Sequence, residues 1–279
     1  MNLTRTRTRK VLVLSLIATV LVACATSPTG RRQLMLVSPD QAISASRTAY
    51  VQQMRAFAEE GKISQDRQLV ERVNTITGRL VAQAIKKQPR TADWEWSVEV
   101  IDDPDTVNAW AMAGGRMAIY SGLIEQTNAT DDEIAQVMGH EIAHALADHT
   151  AERMSVVMAT QLGVLAVGVG TRDERAMTGA AAAALLAINL PNSRTAELEA
   201  DRIGIELAAK AGYHPDAAVT LWQKMEQAGS KGPPQFLSTH PSPGNRQERL
   251  ARLGPEMMPY YEAAKATTPP VHPMRPGTY

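Results

Sequence analysis

The chain holds one cysteine, Cys24, in 279 residues, so no internal disulfide can stabilise it. Aromatic residues are scarce at 4%, which argues against a β-sandwich, since strands draw on aromatic and β-branched side chains. Net charge is missing too. The 29 basic and 29 acidic residues cancel, and a nucleic-acid partner, which needs a basic face, is not expected. Nor does any uninterrupted apolar run reach the roughly 20 residues that cross a bilayer as a helix. What is plentiful is Ala and Met, a composition that favours helices over strands. The length fits one catalytic-sized core with flexible ends.

The first residues differ from the rest. Arg5, Arg7, Arg9 and Lys10 precede an apolar run from Val11 to Ala23, which predicts a signal peptide over 1–23. Its end, Leu21-Val22-Ala23-Cys24, resembles the lipobox cut by lipoprotein signal peptidase, which makes Cys24 the expected lipidation site. The alternative is an uncleaved anchor with an incidental thiol. Several acyl chains on one residue anchor a protein stably. By resemblance to bacterial lipoproteins, Ala25 after the cysteine points to the outer membrane, facing the periplasm. Residues 24–37, with Pro28 and Gly30, are expected to be the lipidated N-terminus and tether. The domain proper is expected over 38–266, and 267–279, with Pro269, Pro270, Pro273 and Pro276, as a disordered Pro-rich tail.

Ser38-Pro39-Asp40-Gln41 has capping-box spacing and predicts a helix to about Glu60. Leu69, Val73, Ile76, Leu80 and Ala84 recur every three or four residues, the buried face of a second helix that Pro89 ends. Trp94, Trp96, Val98 and Val100 alternate with polar neighbours as in a strand. Ala109 to Met112 and Met117 to Tyr120 flank Gly114-Gly115, the signature of a tight hairpin. Thr130-Asp131-Asp132-Glu133 is a further capping box opening a long helix. From Val156 to Leu190 two apolar runs of about 15 residues each predict buried helices, a membrane-dipping hairpin being the alternative.

That long helix carries His140-Glu141-Ile142-Ala143-His144. Residues four apart share a helix face, so His140 and His144 can reach one metal ion, with Glu141 beside them to take a proton from a water there. The pattern alone is moderately specific, because such triplets also arise by chance on amphipathic helices. A catalytic zinc wants a third protein ligand. His149 falls one position short of the metzincin spacing and, on a continuing helix, would point away from the seam; it is expected to be structural. Farther on, Asn192 or Ser193 caps a helix on which Glu197 and Asp201 share one face, so that Glu197 can complete the site while Asp201 holds a ligating imidazole. By itself this segment would pass for a solvated acidic face.

Taken together, Asn108-Ala109, Gly114-Gly115, Ser121-Gly122-Leu123, the HEIAH helix, the SRTAELEAD segment with Gly204, and Thr239-His240-Pro241 resemble the HtpX/LoiP/BepA-like gluzincin zinc metallopeptidases, which include the CAAX prenyl endopeptidases. The match spans most of the mature chain and looks like the lipoprotein branch, because no convincing span follows the signal. The resemblance implies an α+β, mainly helical, zincin-type domain with a small β-sheet beside the HExxH helix. It also implies one zinc ion on His140, His144 and Glu197, with Glu141 as catalytic base. His240, in its His-Pro context, is either a regulatory fourth ligand or a loop histidine bonded to backbone. Arg194 either steadies the oxyanion or braces the helix of Glu197. Ala109, Trp110, Ala111 and Met112 are expected to offer a strand edge to unfolded substrate. The expected function is endopeptidase cleavage of misfolded or unassembled envelope proteins in protein quality control. The alternative is a zinc-stabilised envelope chaperone or assembly lipoprotein with little proteolysis, against which the intact Glu141 speaks.

Overall fold

A computed structural model describes residues 24–171, 193–228, 234–241 and 244–277. The predicted signal peptide and the stretch from residue 172 to Leu190, which holds the second apolar run, lie outside the described residues. The chain divides into two compact units, residues 1–38 with 151–189, and residues 39–150 with 190–279.

In the first unit, strands β1 (Cys24–Thr26) and β2 (Arg32–Leu34) pair antiparallel, Cys24 opposite Leu34. The predicted tether therefore contains a hairpin.

The second unit opens with α1 (Pro39–Glu59), starting at the predicted proline, and α2 (Arg67–Lys87). The carboxylate of Asp66 caps α2 by accepting from the N–H groups of Gln68 and Leu69. Val73, Ile76, Leu80 and Ala84 are buried, as their spacing predicts. Strands β3 (Ser97–Ile101), β4 (Ala109–Met112) and β5 (Arg116–Tyr120) form a sheet in the order β3-β5-β4. β3 runs parallel to β5 and β4 antiparallel to it. The hairpin turns at Gly114 and Gly115, whose φ angles of 88° and 84° are open to glycine without strain. After the short α3 (Ser121–Gln126) comes α4 (Asp131–Leu146), opened by the predicted capping box between Thr130 and Glu133.

α5 (His149–Thr171) follows after a two-residue break. It begins in the second unit and runs into the first. There Arg31 and Gln33 of the hairpin bond Glu152, and the Val37 N–H donates to the Ser155 hydroxyl. Beyond these turns Val156, Met158 and Leu162 are exposed, so the expectation of a buried helix fails here: among the described residues nothing packs over them. Among the described residues no helix is long and apolar enough to cross a membrane.

The second unit is completed by α6 (Arg194–Lys210), α7 (Ala217–Ala228), the short α8 (Gln235–Thr239) and α9 (Arg246–Lys265). α2, α4, α6, α7 and one face of the sheet enclose the main core, each fully buried Leu, Ile, Val or Met side chain contributing about 1.5–3 kcal/mol. The other sheet face packs Trp110, Ala118 and Tyr120 against Tyr50 and Met54 of α1. This is the mainly helical α+β domain with a small sheet beside the HExxH helix. The expected disordered tail is instead extended and docked: the His272 N–H donates to Gly78 of α2, and the Arg275 N–H to Trp96. Without helical or sheet partners of its own, a Pro-rich segment can still satisfy its few N–H groups on neighbouring backbone.

Candidate metal centre

Two helices bring the chemistry together, and two glycines let them approach. The Cβ of a side chain at Gly204 on α6 would lie 2.8 Å from the backbone N of His140, and one at Gly139 on α4 would lie 2.9 Å from the Gly204 carbonyl oxygen. Only hydrogen fits at that crossing. α4 then presents His140 and His144 one turn apart, with ring centroids 4.7 Å from one another. α6, capped by the Ser193 hydroxyl accepting from the Ala196 N–H, presents Glu197 and Asp201 one turn apart.

The imidazoles and carboxylates converge. Glu197 Oε2 lies 3.2 Å from His140 Nε2, and its Oε1 3.3 Å from His144 Nε2. Asp201 Oδ1 faces His140 Nδ1 at 3.1 Å. From just beyond α8, His240 joins them, its Nδ1 3.1 Å from Glu197 Oε1 and its Nε2 3.4 Å from Glu141 Oε1. Phe236 stacks on the His240 ring at 4.3 Å. One ligand atom from each of His140, His144, Glu197 and His240 fits within 4.8 Å of the others, and all four side chains are buried.

Such a set fits a zinc ion: two or three imidazoles and a carboxylate are borderline ligands that suit it. Two buried acceptors point the same way, since Glu197 Oε2 and Glu141 Oε1 have only ion-pair nitrogens at 3.2–3.4 Å and no well-aligned hydrogen bond. The electrostatics agree. Burial opposes charge at Glu197, yet the His140 charge and bonds from three imidazoles hold its carboxyl far below the usual range. Burial also opposes charge at His140, but the Glu197 and Asp201 carboxylates push it up to about 9. The centre is thus a place that favours a cation. Burial keeps His144 neutral, well below the ordinary imidazole value, which leaves a lone pair free to ligate.

Glu141 lies on the side of the cluster toward the sheet. Its Oε2 accepts from the Ala111 N–H at 3.2 Å, and burial raises its carboxyl above the ordinary range. The N–H of Tyr120 donates to Asn108 across the hairpin, so alternation turns the Ala109 and Ala111 amides to the outer edge of β4. Among the described residues no strand pairs with that edge.

Two expectations need correction. Arg194, expected either to steady the oxyanion or to brace the helix of Glu197, is exposed in the first turn of α6, and among the described residues it makes no ion pair with the cluster. Its place is taken by Arg246 at the start of α9, which donates to Asp201 Oδ1 through Nε at 3.1 Å and Nη2 at 2.5 Å. The same guanidinium has Nη1 3.4 Å from Glu197 Oε2 and lies 3.4 Å over the Trp222 ring. A signal existed: Arg246, Leu250, Leu253 and Met257 share one helical face, and a lone arginine on an apolar stripe marks a buried charge. His149 stays outside the ligand set as expected, but it does not point away. Helix α4 stops at Leu146, Asp148 takes a left-handed φ of 54°, and the chain doubles back so that His149 Nδ1 meets His144 Nδ1 at 2.8 Å.

The sequence profile of peptidase family M48 matches residues 65–253, a span that holds the whole cluster. The chain is 34% identical over 243 residues to the mitochondrial metalloendopeptidase OMA1 of Bos taurus, covering 82% of this chain and 46% of that one. It is 32% identical over 186 residues to the mitochondrial metalloendopeptidase OMA1 of Saccharomyces cerevisiae, covering 62% and 51%. To the beta-barrel assembly-enhancing protease of Yersinia pestis it is 31% identical over 226 residues, covering 77% and 44%. The chain spans about half the length of these curated relatives.

Proposed function

Because this chain belongs to peptidase family M48, we propose that it is a zinc-dependent endopeptidase that cleaves misfolded or unassembled cell-envelope proteins while held to a membrane by lipid on Cys24. The observation that carries this reading is the position of Glu141, which lies between the ligand cluster and the open edge of β4. His140, His144 and Glu197 would hold one zinc ion, with Asp201 orienting His140 through its Nδ1. Zinc bound there supplies Lewis acidity to the scissile carbonyl and to the attacking water. Glu141 accepts a proton from that water and returns it to the leaving amine, a task suited to a carboxyl whose affinity for protons burial has raised.

Substrate enters as an added strand on β4, its backbone displacing the Asn108 side chain from the Ala109 N–H and the Glu141 carboxylate from the Ala111 N–H. Backbone pairing reads extension rather than side chains, so unfolded segments of varied sequence qualify. Two relatives named above carry bacterial assembly or mitochondrial protease names, which suits a quality-control role in a membrane-bounded compartment. The lipobox-like Leu21-Val22-Ala23-Cys24 and Ala25 support a bacterial outer-membrane lipoprotein facing the periplasm.

His240 acts as a regulatory fourth ligand. Its ring lies between Glu197 and Glu141, where water and the scissile carbonyl need room, and the site is therefore latent until α8 moves. The test is casein cleavage by the full chain at equal zinc content. Glu141→Gln is expected to cut about 10²–10⁴ times more slowly than wild type, and His240→Ala faster with weaker zinc affinity. If Glu141→Gln holds zinc and cuts as well as wild type, the peptidase mechanism fails. Unchanged cleavage and zinc affinity in His240→Ala would remove the latency.

A further inference from the structure

Three acidic residues of α6 are buried: Glu197, Glu199 and Asp201. Glu197 meets the ligand cluster and Asp201 meets His140, which leaves Glu199 without a part in the chemistry so far. Its Oε2 lies 3.2 Å from His149 Nε2, and His149 Nδ1 lies 2.8 Å from His144 Nδ1. We propose that His149 and Glu199 are positioning residues for His144, a carboxylate–imidazole relay that fixes which nitrogen of His144 faces the metal.

Counting protons gives the direction. A neutral imidazole has one N–H and one lone pair. His144 Nε2 faces Glu197 Oε1 and His140 Nε2, so coordination there requires its lone pair on Nε2 and its proton on Nδ1. The Nδ1–H then donates to His149 Nδ1, which must offer a lone pair. His149 accordingly carries its proton on Nε2 and donates it to Glu199 Oε2. The opposite arrangement would put a proton on His144 Nε2, in the metal's place. All three side chains are buried, so water cannot stand in for any of them.

The arrangement gives the two histidines matching support. Asp201 acts on His140 Nδ1 directly, whereas Glu199, two residues earlier on the same helix, acts on His144 Nδ1 through one intervening ring. Outer partners of this kind commonly set metal affinity by about 10–100-fold. The left-handed turn at Asp148 is what makes the ring available, because a continuing helix would carry His149 away from His144.

The inference rests on the zinc reading of His144, and the test separates the two. Zinc affinity of the full chain is measured by chelator competition, with thermal unfolding of the metal-free forms alongside. His149→Ala is expected to bind zinc about 10–100 times more weakly than wild type. In His149→Asn the amide oxygen stands near the place of Nδ1 and can accept from His144, so a substantial part of the affinity should return. Glu199→Ala, with both histidines in place, should lose affinity in the same direction by a smaller factor. A residue that only fills space would not distinguish Asn from Ala in zinc affinity once the metal-free forms melt alike. Equal affinities of His149→Ala and His149→Asn overturn the relay, as does wild-type affinity in Glu199→Ala, which decides the matter even if His149→Ala does not fold. If wild type itself takes up no zinc, the site reading fails and the relay falls with it.

Discussion

At the scale of single residues, Arg246 shows how much of the centre depends on a group that never touches the reaction. Its guanidinium is buried between Asp201, Glu197 and the Trp222 ring. Two carboxylates in a desolvated site repel each other, and the cation between them offsets that repulsion before any metal arrives. Arg246→Met would remove one of the two cations that face these acids and leave them to His140 alone, and a cost of about 1–3 kcal/mol to the metal-free chain is expected. Arg246→Lys keeps the charge but loses the fork that reaches Asp201 twice and the planar stack on Trp222, so it should fall between the two. Urea unfolding of the metal-free forms measures both. A Met variant as stable as wild type would show that the acids are screened by something other than Arg246. Much of the candidate cluster was legible because helical spacing announces it: His140 with His144, and Glu197 with Asp201, each lie four apart. The apolar stripe of α9 marks Arg246 as buried, but its partners were not legible, since they lie 45 and 49 positions away in sequence and only the packing of α9 on α6 joins them. The role of His149 escaped for a local reason, the helix break at Asp148, which depends on a left-handed residue that spacing does not reveal.

At the scale of elements, the crossing of α4 and α6 sets the width of the site. Gly139 and Gly204 lie backbone to backbone there, so any side chain at either position must separate the helices that carry the two histidines and Glu197. Gly204→Ala is therefore expected to destabilise the chain by about 1–3 kcal/mol through overpacking, and to weaken zinc binding together with it. Alanine in a helix normally does the reverse. Gly163 on α5 has open space where its Cβ would stand, and Gly163→Ala should stabilise by about 0.5–1 kcal/mol. Thermal unfolding of the two variants should move in opposite directions, and a stabilised Gly204→Ala would mean the crossing has slack. Elements with strong local signals matched expectation closely: the Thr130 capping box, the Asp66–Lys87 stripe and the double-glycine hairpin each specify themselves within a few residues. What failed was inference from absence. Few apolar residues and four prolines do not prevent 267–277 from docking, because backbone N–H groups such as those of His272 and Arg275 found carbonyls on α2 and before β3.

At the scale of the whole molecule, that docked tail explains how a catalytic unit can leave one sheet edge open without inviting aggregation at the other. A three-stranded sheet has two edges, and exposed edges recruit strands from other chains. The outer edge of β3 is covered at both ends. Ile63 bridges Ile101 and the Ser64 N–H donates to the Val100 carbonyl at one end; at the other the Arg275 N–H donates to the Trp96 carbonyl. The edge of β4, next to Glu141, has no such cover among the described residues. On the proposed function, strand addition is thereby left to the edge beside Glu141. Truncation after Thr267 should uncover the start of β3 while leaving the ligand cluster and β4 untouched. The shortened chain is expected to melt a few degrees lower, by roughly the 4 °C or less that 1 kcal/mol represents at this size. It should also self-associate in light scattering at concentrations where the intact chain does not, and keep its zinc affinity. If it stays monodisperse with an unchanged melting temperature, the tail protects nothing and the asymmetry of the sheet must come from the loop at Ile63 alone.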